Sequence, residues 1–139
     1  MKIGTPTERR RLRLALLNDN AAFLQMLCDW FTQHGHDCVS AVVADLPNAH
    51  EDVPRFINEH GPDVVVYEVG TPYASSWDLL DVIRFDPSLK AQRFVITTPN
   101  KKKLEDAVGE TSALELAGPT DLPRILKAVE AASHTARDA

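Results

Sequence analysis

Cysteine is scarce: Cys28 and Cys38 are the only two in 139 residues, and they do not form a C-x-x-C pair. That count supports neither a disulfide framework nor a dithiol redox motif, so both are expected to be buried free thiols in a reducing compartment. Long apolar runs are missing too. Leu14 to Leu17 is preceded by Arg13 and ended by Asn18-Asp19-Asn20, with no small-residue cleavage site after it. This excludes a spanning segment and argues against a signal peptide, and a cytoplasmic location is expected. Positive charge is also short, with a formal net charge of -5. Arg9-Arg10-Arg11 with Arg13, and Lys101-Lys102-Lys103, form the basic clusters, and each reads as a solvated segment. A nucleic-acid module would show a broader basic surface, so neither nucleic acid nor membrane is an expected partner.

The motifs of common chemistries are absent as well. There is no G-x-G-x-x-G and no G-x-x-x-x-G-K, so nothing cradles a nucleotide phosphate. His34, His36, His50, His60 and His134 include no i, i+4 pair with a helpful acid, and all five are expected at the surface. No grouping of serine, histidine and acid suggests a nucleophile. An enzyme is therefore not expected.

What remains is an ordinary globular composition, 44% hydrophobic and 25% charged, at a length suited to one domain. Residues 1–12 are expected to be a tail, 13–132 the domain and 133–139 a second tail. Leu14–Leu17, Cys38–Val43, Val64–Tyr67 and Phe94–Thr97 are short apolar runs that predict strands, and Leu114–Ala117 predicts a weak fifth. Between them, Phe23, Leu24, Leu27, Cys28, Trp30 and Phe31 recur at helical spacing until Gly35. Val53, Phe56 and Ile57 predict a short helix ending before Gly61, and Trp77 to Ile83 another, stopped by Asp86-Pro87. Lys101–Val108 is a fourth helix. Leu122, Ile125, Leu126 and Val129 mark a fifth, capped by Thr120 or Asp121 with Pro123 in its first turn. Strand and helix alternate five times, which implies βαβ units and a doubly wound parallel sheet. Right-handed crossovers bring all strand C-terminal ends to one edge, where ligands bind in such folds. Asn18 and Asp19, Glu68, and Thr98 follow the first, third and fourth strands, and should converge there.

With those residues in place, the chain resembles the receiver domain of two-component response regulators, over roughly Arg13 to Ala132. The stretch "PDVVVYEVGTP" fits the third-strand pattern of that family, Leu17-Asn18-Asp19 fits its first-strand acidic pair, and Thr98 its strand-four hydroxyl. The resemblance implies a flavodoxin-like (βα)5 fold with strand order 2-1-3-4-5 and a role in phosphorelay signal transduction. It also implies a set of departures. Glu68 stands at the phosphoacceptor aspartate's position, Asn18 replaces one acid, Gly118 before Pro119 replaces the lysine, and Glu115 replaces the switch aromatic. Asp19, Glu68 and the Gly70 carbonyl are what remains to hold Mg²⁺, and weak or absent binding is expected from two carboxylates. Asp19 reads alternatively as a cap of the first helix. Without the lysine, the two remaining carboxylates keep the same formal charge as an intact site of three carboxylates and one lysine. Glu68 supplies a single charge where a phosphoryl group adds about -1.5 to -2, so it imitates the phosphorylated state only in part.

The reading is a pseudo-receiver that is not switched by Asp phosphorylation and acts through protein contacts. The face from Lys101 to Ala132 is the one the family commonly uses, for a different protein or for a second copy of the chain. The alternatives are a conditional phosphoacceptor with a degenerate site and a small-molecule-binding flavodoxin-like domain using the same pocket.

Overall fold

The computed structural model describes residues 11–138, with side chains described as far as His134. The basic residues Arg9 and Arg10 lie outside the described residues. The elements are β1 Arg13–Asn18, α1 Ala21–Gln33, β2 Asp37–Val42, α2 Ala49–His60, β3 Val64–Glu68, α3 Tyr73–Arg84, β4 Phe94–Thr98, α4 Lys101–Val108, β5 Leu114–Glu115 and α5 Leu122–Asp138. The strands form one parallel sheet in the order β2-β1-β3-β4-β5. This is the flavodoxin-like arrangement.

Side-chain alternation along the buried strands separates two cores. Leu14, Leu16, Val64 and Val66 face α1 and α5, meeting Leu24, Leu27, Phe31, Ile125 and Val129. Ala15, Leu17, Val65 and Tyr67 face the other way, toward Val53, Ile57, Leu80, Ile83 and Leu104 of α2, α3 and α4. Strands covered on both faces read as unbroken apolar runs, which is why β1 and β3 were so plain in the sequence.

The helix ends follow local chemistry. Asn20 caps α1 by accepting the Phe23 N–H at 2.9 Å, and Asn100 caps α4 by accepting the Lys103 N–H at 3.0 Å. Gly61 ends α2 in the left-handed region at φ 55°, a conformation open to glycine at little cost. α2 begins well before the apolar positions that predicted it and carries Pro54 inside it. Pro54 is buried there, and its packing offsets the backbone hydrogen bond it cannot donate.

Several expectations are corrected. The packed structure includes Leu12, which is buried, and α5 runs past residue 132 to Asp138 with Ser133 buried. His36 is buried as well, because its Nδ1 accepts the Leu12 N–H at 3.1 Å and so ties the start of β1 to the turn before β2. Cys28 and Cys38 are free thiols but only half-buried. β5 has two residues instead of four: the Leu116 N–H still reaches the Thr98 carbonyl at 2.8 Å, and then Asp121 Oδ2 accepts the Ala117 N–H at 2.8 Å and the Gly118 N–H at 3.3 Å. Among the described residues, no helix is long and apolar enough to cross a membrane.

Phe31, fully buried between α1 and the sheet, should be far more costly to truncate than the cap that starts its helix. Phe31→Ala is expected to lower unfolding free energy by about 3–5 kcal/mol and Asn20→Ala by about 1 kcal/mol, read as urea midpoints at an unchanged denaturant slope.

Candidate functional site

Because all the strands are parallel, their polar ends meet on one edge. The register pairs Leu17 with Tyr67 and Glu68 with Thr97, which sets Asn18 beside Glu68 and Thr98 one step further along β4. Asn18 and Thr98 are buried, and Glu68 is half-buried. Three atoms of this group, Asn18 Nδ2, Glu68 Oε1 and Thr98 Oγ1, are buried without a hydrogen-bond partner. Orphaned buried polar atoms are rare enough that their concentration at one strand edge marks a candidate site.

Burial pushes the Glu68 carboxyl up to about 7. The nearby Asn18 amide opposes that shift without reaching hydrogen-bonding geometry, and the charge of Asp19 adds to it. The Glu68 carboxyl thus takes up a proton closer to neutrality than a free glutamate does. Burial also raises the neighbouring Tyr67 hydroxyl above its ordinary value, again with help from Asp19.

Asp19 does not cap α1. It lies one residue too early, and Asn20 takes that role. The Asp19 Oδ1 instead accepts the Ala44 N–H at 2.9 Å, clamping the end of β1 to the turn that follows β2. The Asn18 Oδ1 is likewise engaged, by the Asn20 N–H at 2.9 Å. One oxygen of Asn18 and one of Asp19 are thus committed to backbone donors. Among the described residues, no group of three or more His, Cys, Asp and Glu forms a candidate metal cluster. Mg²⁺ needs near-octahedral oxygen coordination and keeps several waters, and this edge offers it at most the Asp19 and Glu68 carboxylates and a backbone carbonyl.

At the far side of the edge, Gly118, Pro119 and Glu115 shape the connections around β5. Gly118 is in extended conformation, and Pro119 opens a short 3₁₀ turn held by Asp121. Glu115 is engaged through both its side chain and its backbone. Its carboxylate accepts the Lys101 N–H at 3.4 Å, where α4 begins, and its carbonyl accepts from the Arg124 guanidinium at 2.9 Å. Arg124 also pairs with Asp121 at 3.1 Å. α4, β5 and α5 are tied together through this one acid.

The edge opens into a cleft of about 300 Å³ lined by Asp19, Val43, Tyr67, Glu68, Thr71, Pro72, Ser75, Ser76 and Leu79. The hydroxyl-bearing residues of this wall escaped the sequence reading. Apolar periodicity begins at Trp77, whereas α3 begins at Tyr73, so its polar first turn looked like loop. Trp77 itself lies within α3, packed on the core with the Arg84 guanidinium 5.2 Å from its ring centroid.

No family model matches the sequence, and no curated protein matches it. Solved structures do match the fold. A sensor protein from Polaromonas sp. JS666 superposes with a TM-score of 0.71 at 13% identity, over 91% of this chain and 99% of that one. A CheY-like response regulator receiver domain from Methylobacillus flagellatus gives 0.63 at 19% identity, over 86% and 99%. The chemotaxis protein CheY4 of Vibrio cholerae gives 0.62 at 16% identity, over 88% and 99%. At these identities the likeness establishes the fold.

The raised Glu68 carboxyl has a definite sign. The folded chain holds a proton that the unfolded chain releases at lower pH, so stability falls as pH rises from about 4.5 to about 7 and is level above. Urea unfolding of the wild type should lose on the order of 3 kcal/mol across that window relative to Glu68→Gln, which should lack this component.

Proposed function

We propose that this protein is a receiver-type signalling module that works by binding other proteins, without catalysis and without phosphoryl transfer to its strand-three acid. The face formed by α4, β5 and α5, about Lys101 to Ala132, is its contact surface, and its setting is cytoplasmic. The observation that carries this reading is Glu115. The residue at the switch-aromatic position is a carboxylate spent on the start of α4, while Arg124 holds the backbone of the same residue.

The chemistry of the edge supports the same reading. Phosphoryl transfer rests on positioning and on neutralising the charge of the transferred group. Here Glu68 places its carboxyl one methylene further out than an aspartate would, in a proton-accepting environment. No lysine stands directly after β5, where Gly118 precedes Pro119, and the Asn18 Oδ1 and Asp19 Oδ1 each accept a backbone N–H. The frame persists around a site that has lost three of the parts that the reaction uses. Its face carries alternating charge, with Lys102 paired to Asp106 at 3.2 Å. That pattern suits a polar protein interface and not a nucleic acid.

The test is intact mass after incubation with Mg²⁺ and acetyl phosphate. The wild type should remain unmodified, whereas the triple variant Asn18→Asp, Glu68→Asp, Gly118→Lys should gain one phosphoryl group. A stoichiometric adduct on the wild type would overturn the reading and make the chain a conditional phosphoacceptor.

A further inference from the structure

The cleft below the strand ends has a composition that the signalling role leaves unexplained. Asp19 and Glu68 share it, and no lysine, arginine or histidine lines it. The rest of its polar wall consists of hydroxyls, from Tyr67, Thr71, Ser75 and Ser76. Tyr67 is 2% exposed, yet its hydroxyl makes no hydrogen bond among the described residues and faces the field of Asp19. The phenol hydroxyl left unpaired on this wall has acceptor capacity that a donor-bearing guest would use.

From this geometry we propose that the cleft binds a small organic cation bearing N–H donors, a primary alkylammonium. Asp19 supplies the attraction, Glu68 adds to it once deprotonated, and charge-assisted N–H···O bonds to acids and hydroxyls supply the orientation. Val43, Pro72 and Leu79 form the apolar part of the wall, against which a short alkyl chain fits. The volume of about 300 Å³, at the small end of ligand cavities, accommodates a short-chain ammonium. A divalent metal is the poorer fit, because Asp19 Oδ1 is held by Ala44 and hydroxyls are weak ligands for a hard dication. An ammonium needs no fixed octahedron and can use every acceptor on this wall.

Titration of the full chain with propylammonium chloride, followed in proton–nitrogen correlation spectra, tests the site. The expected result is saturable shifts confined to the amides of Asp19, Thr71, Ser75 and Ser76. Tetramethylammonium, a cation without N–H donors, should bind at least tenfold more weakly, and Asp19→Asn and Tyr67→Phe should each weaken propylammonium binding. Shifts that merely follow ionic strength, equal binding of tetramethylammonium, or saturation by MgCl₂ in place of propylammonium would each overturn the proposal. The wild-type titrations decide this alone if a variant fails to fold. They also fail separately from the phosphodonor experiment, since neither result fixes the other.

Discussion

Pairing between β1 and β3 is the constraint on which the rest of the molecule depends. Both strands are buried on two faces, so their residues must be apolar until the ladder ends, and the polar residues that follow are delivered to the same edge. A slip of one residue would turn Leu14 and Leu16 away from α1 and α5 and bring Ala15 and Leu17 to that side, so each face holds the register for the other. Burial of this kind contributes about 25 cal/mol for each Å² of apolar surface removed from water, and it is the main source of free energy that holds the polar edge in place. Asn18, Glu68 and Thr98 are neighbours because Leu16, Val66 and Ile96 are core residues.

That edge combines a stable frame with unspent polar groups. Its acids and amides are partly absorbed into holding loops: Asp19 fastens the turn after β2, and Asn18 turns back on Asn20. Asp121 and Glu115 do the corresponding work around β5 and α4. What is left over is concentrated at Glu68, Thr98 and the hydroxyl wall of the cleft. A strand-end carboxyl in that setting takes up a proton near neutrality.

Much of this was legible in the sequence. The alternation of apolar runs with helical spacing located every strand and helix, and the parallel topology that follows from it placed Asn18, Asp19, Glu68 and Thr98 together. The misses share a physical origin, which is that side-chain to backbone bonds leave no periodic trace. Nothing in the pattern showed that His36 would be buried to receive the Leu12 N–H, or that Asp19 would leave the cap to Asn20 and reach Ala44. The polar first turn of α3 was read as loop because its serines carry no apolar stripe, and with it went the cleft wall. β5 was overextended because Asp121 competes for the N–H groups that would have continued it.

The account turns on a surface held in one arrangement. In a two-state switch, α4, β5 and α5 would exchange together between two positions, on a timescale of microseconds to milliseconds. Here Glu115 ties the end of β5 to the start of α4 through its side chain and to Arg124 of α5 through its carbonyl, which opposes that motion. The most direct measurement is nitrogen relaxation dispersion across Lys101 to Ala132 in the wild-type chain. Flat profiles over the whole face are predicted, whereas a common exchange process shared by α4, β5 and α5 would contradict the account.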